Sequence, residues 1–168
     1  ASFIASVDSL PFSKVDLYKI KSELISVKKV AAEFIDELVD VILEKKPKIV
    51  GCTSTFAQHM ASLSLLKKVK CLSPETITII GGANCWGELG LATVKEFSWV
   101  DYIFSGEADE TFYPLCKLLI SKRFRVDYKE LPCGVFNKER ADNFTVLEDK
   151  NTLYAIVRNL NGIPKPDY

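Results

Sequence analysis

Three times between Ile49 and Glu107 an apolar run leaves into a loop of small or polar residues. Ile49-Val50-Gly51-Cys52 runs into Thr53-Ser54-Thr55, Ile77-Thr78-Ile79-Ile80 into Gly81-Gly82-Ala83-Asn84, and Val100-Asp101-Tyr102-Ile103-Phe104 into Ser105-Gly106-Glu107. Strand, loop and helix in repetition build a parallel sheet with a ligand crevice at the carboxyl ends of its strands. The rest of the chain supports that edge or leads away from it.

Composition narrows the partners. Lysine plus arginine numbers 22, as does aspartate plus glutamate, so no net field favours nucleic acid or an anionic membrane. No apolar run approaches the roughly 20 residues that span a bilayer, and Ser2–Leu10 lacks the basic flank and cleavage pattern of a signal peptide. A cytoplasmic location is expected. Cys52, Cys71, Cys85, Cys116 and Cys133 are spaced neither as a zinc site nor as an iron–sulfur site, and read as buried thiols in a reducing compartment.

In chain order, Ser2–Val7 reads as a short strand and Lys14–Ser26 as a helical piece. There is no convincing first strand with a glycine turn, so the sheet is expected to be incomplete at its amino terminus. Val30, Ala31, Phe34, Leu38, Val41 and Ile42 recur at helical spacing opposite Glu33, Asp36, Glu37 and Asp40, which predicts an amphipathic helix over Val30–Lys46, stopped by Pro47. Further helices are expected at Ala57–Cys71, Gly87–Phe97 and Glu110–Ile120. Beyond Lys122, Leu131–Phe136 reads as one arm of a small hairpin, and Asn159–Tyr168 as a polar, proline-containing exit. The organisation expected is a domain over 1–122 followed by a small extension and linker over 123–168.

Each loop has a structural and a functional reading. Gly81-Gly82 makes a tight turn, or lets a flat or phosphorylated ligand approach the main chain. Thr53, Ser54 and Thr55 cap the next helix, or bond ligand groups. Asp109 and Glu110 suit a helix amino terminus, whereas Glu107, nearest its strand, is the better placed to face a ligand. His59 is the sole histidine; no second histidine, acid or nucleophile accompanies it, so no catalytic residue and no metal ligand is expected.

The segments Val50–Gln58, Gly81–Glu88 and Val100–Glu107 resemble the cobalamin-binding domain that precedes the radical SAM barrel in B12-dependent radical SAM enzymes, most closely the branch that matures ribosomally made peptides. That family commonly carries a serine-type loop and a Gly-Gly loop; here Thr53 and Gly81 stand 28 residues apart. The likeness covers Pro47–Leu119, with a weaker part in Leu160–Tyr168. It implies that Thr53, Thr55, Gly81 and Gly82 line the nucleotide tail of cobalamin. Ser54, Gln58, Asn84 and Glu107 would contact corrin amides or the ring's lower face, and Ala83 and Gly106 are expected among the cofactor-binding residues.

Two departures qualify the likeness. The Asp-x-His-x-x-Gly signature is absent, which implies cobalamin held without a histidine on cobalt. The Cys-x-x-x-Cys-x-x-Cys signature is absent too, so S-adenosylmethionine and a 4Fe–4S cluster would belong to a downstream radical SAM domain of the same polypeptide, acting on a peptide or small molecule, with methyl transfer the expected chemistry. The fold class expected is α/β, a Rossmann-like (flavodoxin-like), mostly parallel sheet in three α/β/α layers. A self-contained flavin- or nucleotide-binding protein is the alternative, against which the missing Gly-x-Gly-x-x-Gly counts; a non-catalytic interaction domain is the third reading. Trp86, beside the Gly-Gly loop, separates them if its fluorescence responds to cobalamin.

Overall fold

The computed structural model describes residues 14–145 and 150–163. The expected strand Ser2–Val7 and the end of the expected exit segment lie outside them. The chain divides into two units, Ala1–Lys45 and Lys46–Tyr168.

The described part of the first unit is one helix, α1 (Lys14–Glu44), where the sequence suggested two pieces. Nothing between Ser26 and Val30 breaks a helix: Val27, Lys28 and Lys29 include neither glycine nor proline. The serines do not compete with the ladder either, because Ser22 Oγ donates to the Lys19 carbonyl and Ser26 Oγ to that of Ser22, spending their hydroxyls on the helix itself. The chain turns out of α1 through Lys46, at φ +48°, directly before Pro47.

The second unit is a four-stranded open sheet in the order β1 (Ile49–Thr53), β2 (Ile77–Gly81), β3 (Tyr102–Phe104), β4 (Val135–Phe136). The first three run parallel, with Ile49 opposite Ile77 and Ile79 opposite Tyr102; β4 is antiparallel, with Ile103 opposite Phe136. Because β1, β2 and β3 are adjacent in chain order, right-handed crossovers set α2 (His59–Leu72) and α3 (Glu88–Glu96) on one face. On the other face α4 (Phe112–Ser121) buries Leu115 and Leu119 against Ile79, Tyr102, Phe104, Leu131 and Val135. The result is the mostly parallel, Rossmann-like α/β sheet with flanking helices that the strand-loop repeats predicted.

Covered faces explain why β2 is nearly all apolar. Its exception, Thr78, is fully buried and donates through Oγ1 to the Trp99 carbonyl, while its N–H donates to Asp101, which also accepts from Lys70 Nζ at 2.6 Å. The segment Leu131–Phe136 differs from the expected hairpin arm: its strand pairs with β3, across the whole of α4, and extends the sheet. Two short helices follow, α5 (Lys138–Asp142) and α6 (Lys150–Leu153). Arg140 of α5 fixes this corner, its Nη1 donating to the carbonyls of Leu131, Pro132 and Val135 at 2.8–3.0 Å.

Among the described residues no helix is long and apolar enough to cross a membrane.

Candidate functional site

The loops after β1 and β2 form one structure. Ser54 N–H donates to the Gly81 carbonyl at 2.8 Å, and Asn84 N–H to the Ser54 carbonyl at 3.0 Å. Gly82, at φ +91°, lies so near this loop that a Cβ there would stand 2.7 Å from the Ser54 carbonyl oxygen. The second glycine of the pair is therefore demanded by the neighbouring loop, through both its conformation and the space it leaves.

A cavity of about 260 Å³ opens beside this junction, on the α4 face of the sheet. It is lined by Gly51, Cys52, Thr53, Ile79, Gly81, Gly82, Phe104, Ala108 and Phe112. Gly51 gives it room. A Cβ built on Gly51 meets nothing within 4 Å, so no packing of this unit against itself calls for glycine in the middle of β1. Glycine inside a strand weakens it and often marks a place where something else comes close. Of the expected site residues, Thr53, Gly81 and Gly82 line this cavity; Gly51, Cys52, Phe104 and Phe112 were not foreseen, although a glycine interrupting an apolar strand is a signal visible in the sequence.

The other expected loop residues have different surroundings. Thr55 and Gln58 serve each other, the Thr55 N–H and hydroxyl both donating to Gln58 Oε1 at 3.0 and 2.9 Å, which caps the short 3₁₀ turn Phe56–Gln58. Ser54 is fully buried, and its Oγ lies 3.0 Å from His59 Nδ1 and from Asn84 Nδ2. Asn84 Nδ2 also donates to the Phe56 carbonyl at 3.0 Å. That bond supports Phe56 in a left-handed conformation, φ +46°, with its ring 96% exposed. Ala83 is exposed at the start of the turn Ala83–Cys85. A wider, shallower groove of about 560 Å³ lies by Phe56, His59, Asn84, Leu89, Thr93 and Trp99.

The third loop engages the chain's own distal segment. Gly106 forms a parallel bridge with Ala155, whose N–H donates to the Ser105 carbonyl and whose carbonyl accepts from Glu107 N–H, both at 2.8 Å. A Cβ at Gly106, φ +101°, would collide with the Ala155 backbone, and so would one at Gly134, φ +73°. Glu107 Oε2 accepts from Val157 N–H at 2.6 Å. The structure thus brings Thr53, Gly81 and Gly82 together around the cavity and sets Gly106 and Glu107 against the strap Tyr154–Val157. Ser105 joins the two regions, its buried hydroxyl accepting from Gly87 N–H at 2.8 Å. Trp86, 47% exposed, packs on Tyr154 with ring centroids 5.2 Å apart.

Burial raises several ionisable groups of this unit. It pushes the Cys85 thiol up to about 11 and raises that of Cys52. Tyr102 is raised by burial and, secondarily, by the charge of Asp101. A raised thiol is a poor nucleophile, and among the described residues no group of three or more His, Cys, Asp or Glu is placed to hold a metal ion. The arrangement is chemically suited to holding a ligand.

No family model matches the chain. Over 93 residues, 55% of its length, the chain is 30% identical to the anaerobic magnesium-protoporphyrin IX monomethyl ester cyclase of Rubrivivax gelatinosus, and the matched region spans 16% of that enzyme.

Proposed function

We propose that this chain is a cobalamin-binding module that serves a radical SAM domain of the same polypeptide, in methyl transfer or a related modification of a peptide or small molecule. The observation that carries the reading is the cavity under Gly51. It is roofed by the Thr53 and Gly81-Gly82 loops at the carboxyl edge of a Rossmann-like sheet, where such sheets take their ligands. At about 260 Å³ it falls just below the usual range for whole small-molecule sites. It therefore suits a flat heterocyclic tail better than a complete corrin ring. Thr53 would offer its hydroxyl, Gly81 and Gly82 their backbone, and Ile79, Phe104 and Phe112 an apolar wall. Glu107 and Gly106 would act on the ligand through the strap they hold.

Cobalamin, when bound, supplies organocobalt chemistry that no side chain here can provide. The residues of this chain bind and orient. The resemblance of the three loop segments supports the reading, as does the match to the cyclase: a region equal to about a sixth of a much larger enzyme is what a module would leave.

The test is addition of hydroxocobalamin to the purified chain, followed by gel filtration and visible spectroscopy. Co-elution and a shifted corrin spectrum are expected, with Trp86 quenched. Gly51→Leu projects a side chain into the cavity from a position where a Cβ meets nothing within 4 Å, so, with circular dichroism confirming the fold, it should lose binding by about a hundredfold, the order expected when a ligand group of this size is excluded. Uptake of flavin mononucleotide in place of hydroxocobalamin would instead establish the flavodoxin-like alternative.

A further inference from the structure

His59 opens α2 and touches both the loop after β1 and helix α3. Its Nδ1 lies 3.0 Å from Ser54 Oγ and its Nε2 3.4 Å from Thr93 Oγ1. One arrangement of protons satisfies all the neighbouring bonds at once. Asn84 Nδ2 can only donate, and it does so to Ser54 Oγ and the Phe56 carbonyl. Thr93 commits its single proton to the Leu89 carbonyl at 2.8 Å, so towards His59 it is an acceptor and Nε2 must carry hydrogen. Nδ1 is then bare and accepts the Ser54 proton.

We infer that His59, as the neutral Nε2–H tautomer, is the positioning residue that locks the Thr53-Ser54 loop against the Gly81-Gly82 loop, and that a second proton on its ring releases the lock. Ser54 is fully buried, and its hydroxyl hydrogen has Nδ1 as its acceptor. A doubly protonated imidazole only donates, which strands that hydrogen in the interior. The effect spreads because Ser54 also exchanges backbone bonds with Gly81 and Asn84, and Asn84 in turn holds the left-handed turn of Phe56. What the locked loops seat rests on the cobalamin reading; that His59 locks them does not. Apart from His59 itself, Glu96 of α3 is the one titratable residue among those lining the groove that His59 borders.

The experiment uses the whole 168-residue chain, labelled with ¹⁵N. Long-range ¹H–¹⁵N spectra of the ring at neutral pH should show hydrogen on Nε2; hydrogen on Nδ1 overturns the inference. His59→Asn keeps an acceptor near the place of Nδ1, whereas His59→Leu has none. The amide signals of Gly81, Gly82 and Asn84 should stay near their wild-type positions in the first and move in the second; equal behaviour of the two variants overturns it. In the wild type those amides should follow the ring's own titration as pH falls, should not do so in His59→Asn, and should still do so in Glu96→Gln. A response lost in Glu96→Gln assigns the switch to the carboxylate and overturns the proposal.

Hydroxocobalamin affinity should fall about tenfold when the ring takes its second proton, the scale of one stranded buried donor, and His59→Asn should abolish that pH dependence. A wild type that binds no hydroxocobalamin but shows the Nε2 tautomer and the Asn rescue refutes the cofactor and sustains the lock. A wild type that binds, with His59→Leu folded, equal in affinity and unmoved in its loop amides, refutes the lock. If His59→Leu does not fold, the tautomer and the pH response of His59→Asn decide.

Discussion

The carboxyl edge of the sheet has an open half and a closed half. Around β1 and β2 the glycine at position 51 faces empty space, and Thr53, Gly81 and Gly82 border a cavity. Around β3 and β4, Gly106 and Gly134 are equally bare of side chains, but Ala155 occupies the room they leave. The same residue type thus serves two ends: one glycine leaves open space beside it and the others admit the chain itself. A glycine in or beside a strand leaves room, and only the tertiary structure tells whether that room is filled.

The largest effect should come from filling the closed half. Gly106→Ala and Gly134→Ala each force a side chain into a positive-φ position and into the Ala155 backbone, and each should cost about 3 kcal/mol or more in urea unfolding, combining strain with collision. Gly51→Ala, by contrast, should be neutral or gain up to about 1 kcal/mol by restricting the unfolded chain. Equal stabilities for the three would erase the distinction between the halves.

Thiol chemistry sharpens it next. Exposed Cys71 should alkylate first, Cys52 beside the open cavity more slowly, and buried Cys85 only on unfolding. Bound hydroxocobalamin should protect Cys52 and leave Cys71 unchanged. Because the folded state raises Cys85 from 9.0 to about 11, it favours the protonated thiol. The associated stability is fully present below pH 9 and is lost as pH climbs through about 11. Chemical denaturation at pH 8 and pH 11 should therefore show a lower midpoint at the higher pH, an effect that Cys85→Ala should reduce.

The smallest effect belongs to Glu107→Ala. Its carboxylate is exposed and holds a single strap amide, so global stability should change by no more than about 0.5 kcal/mol, while hydrogen exchange at Val157 accelerates. An unchanged Val157 rate would mean that the Ala155 bridge and the contacts of Tyr154 hold the strap without Glu107.

Much of this fold is legible in the residues. Ile77-Thr78-Ile79-Ile80 is apolar along both faces because both are covered, and each of the three loops follows a run that does form a strand. The helices after β1, β2 and β3 announce themselves by spacing. What escaped has a common cause, dependence on partners distant in sequence. The strap carries no strand periodicity because one bridge at Ala155 needs none. Val135-Phe136 finds β3 across an intervening helix, which a local pattern cannot show. Of His59's two partners, Thr93 is 34 residues away, and Ser54, five residues before it, meets the ring only across the turn Phe56–Gln58. At α1 the reverse holds: the apolar pattern weakens between Ser26 and Val30, yet Val27, Lys28 and Lys29 carry no helix breaker and the helix runs through.

The strap has a mechanical consequence. Tension applied at Ile163 would reach the sheet through the Asn159–Glu110 bond, then the Val157–Glu107 bond and then the Ala155 contacts with Ser105 and Glu107. The two outer bonds should give first and the bridge last, before any strand of the parallel ladder is loaded. A pull from that side should therefore appear in a single-molecule trace as a small early extension. Its release would reach the cavity side of the edge by way of Ser105 and Gly87.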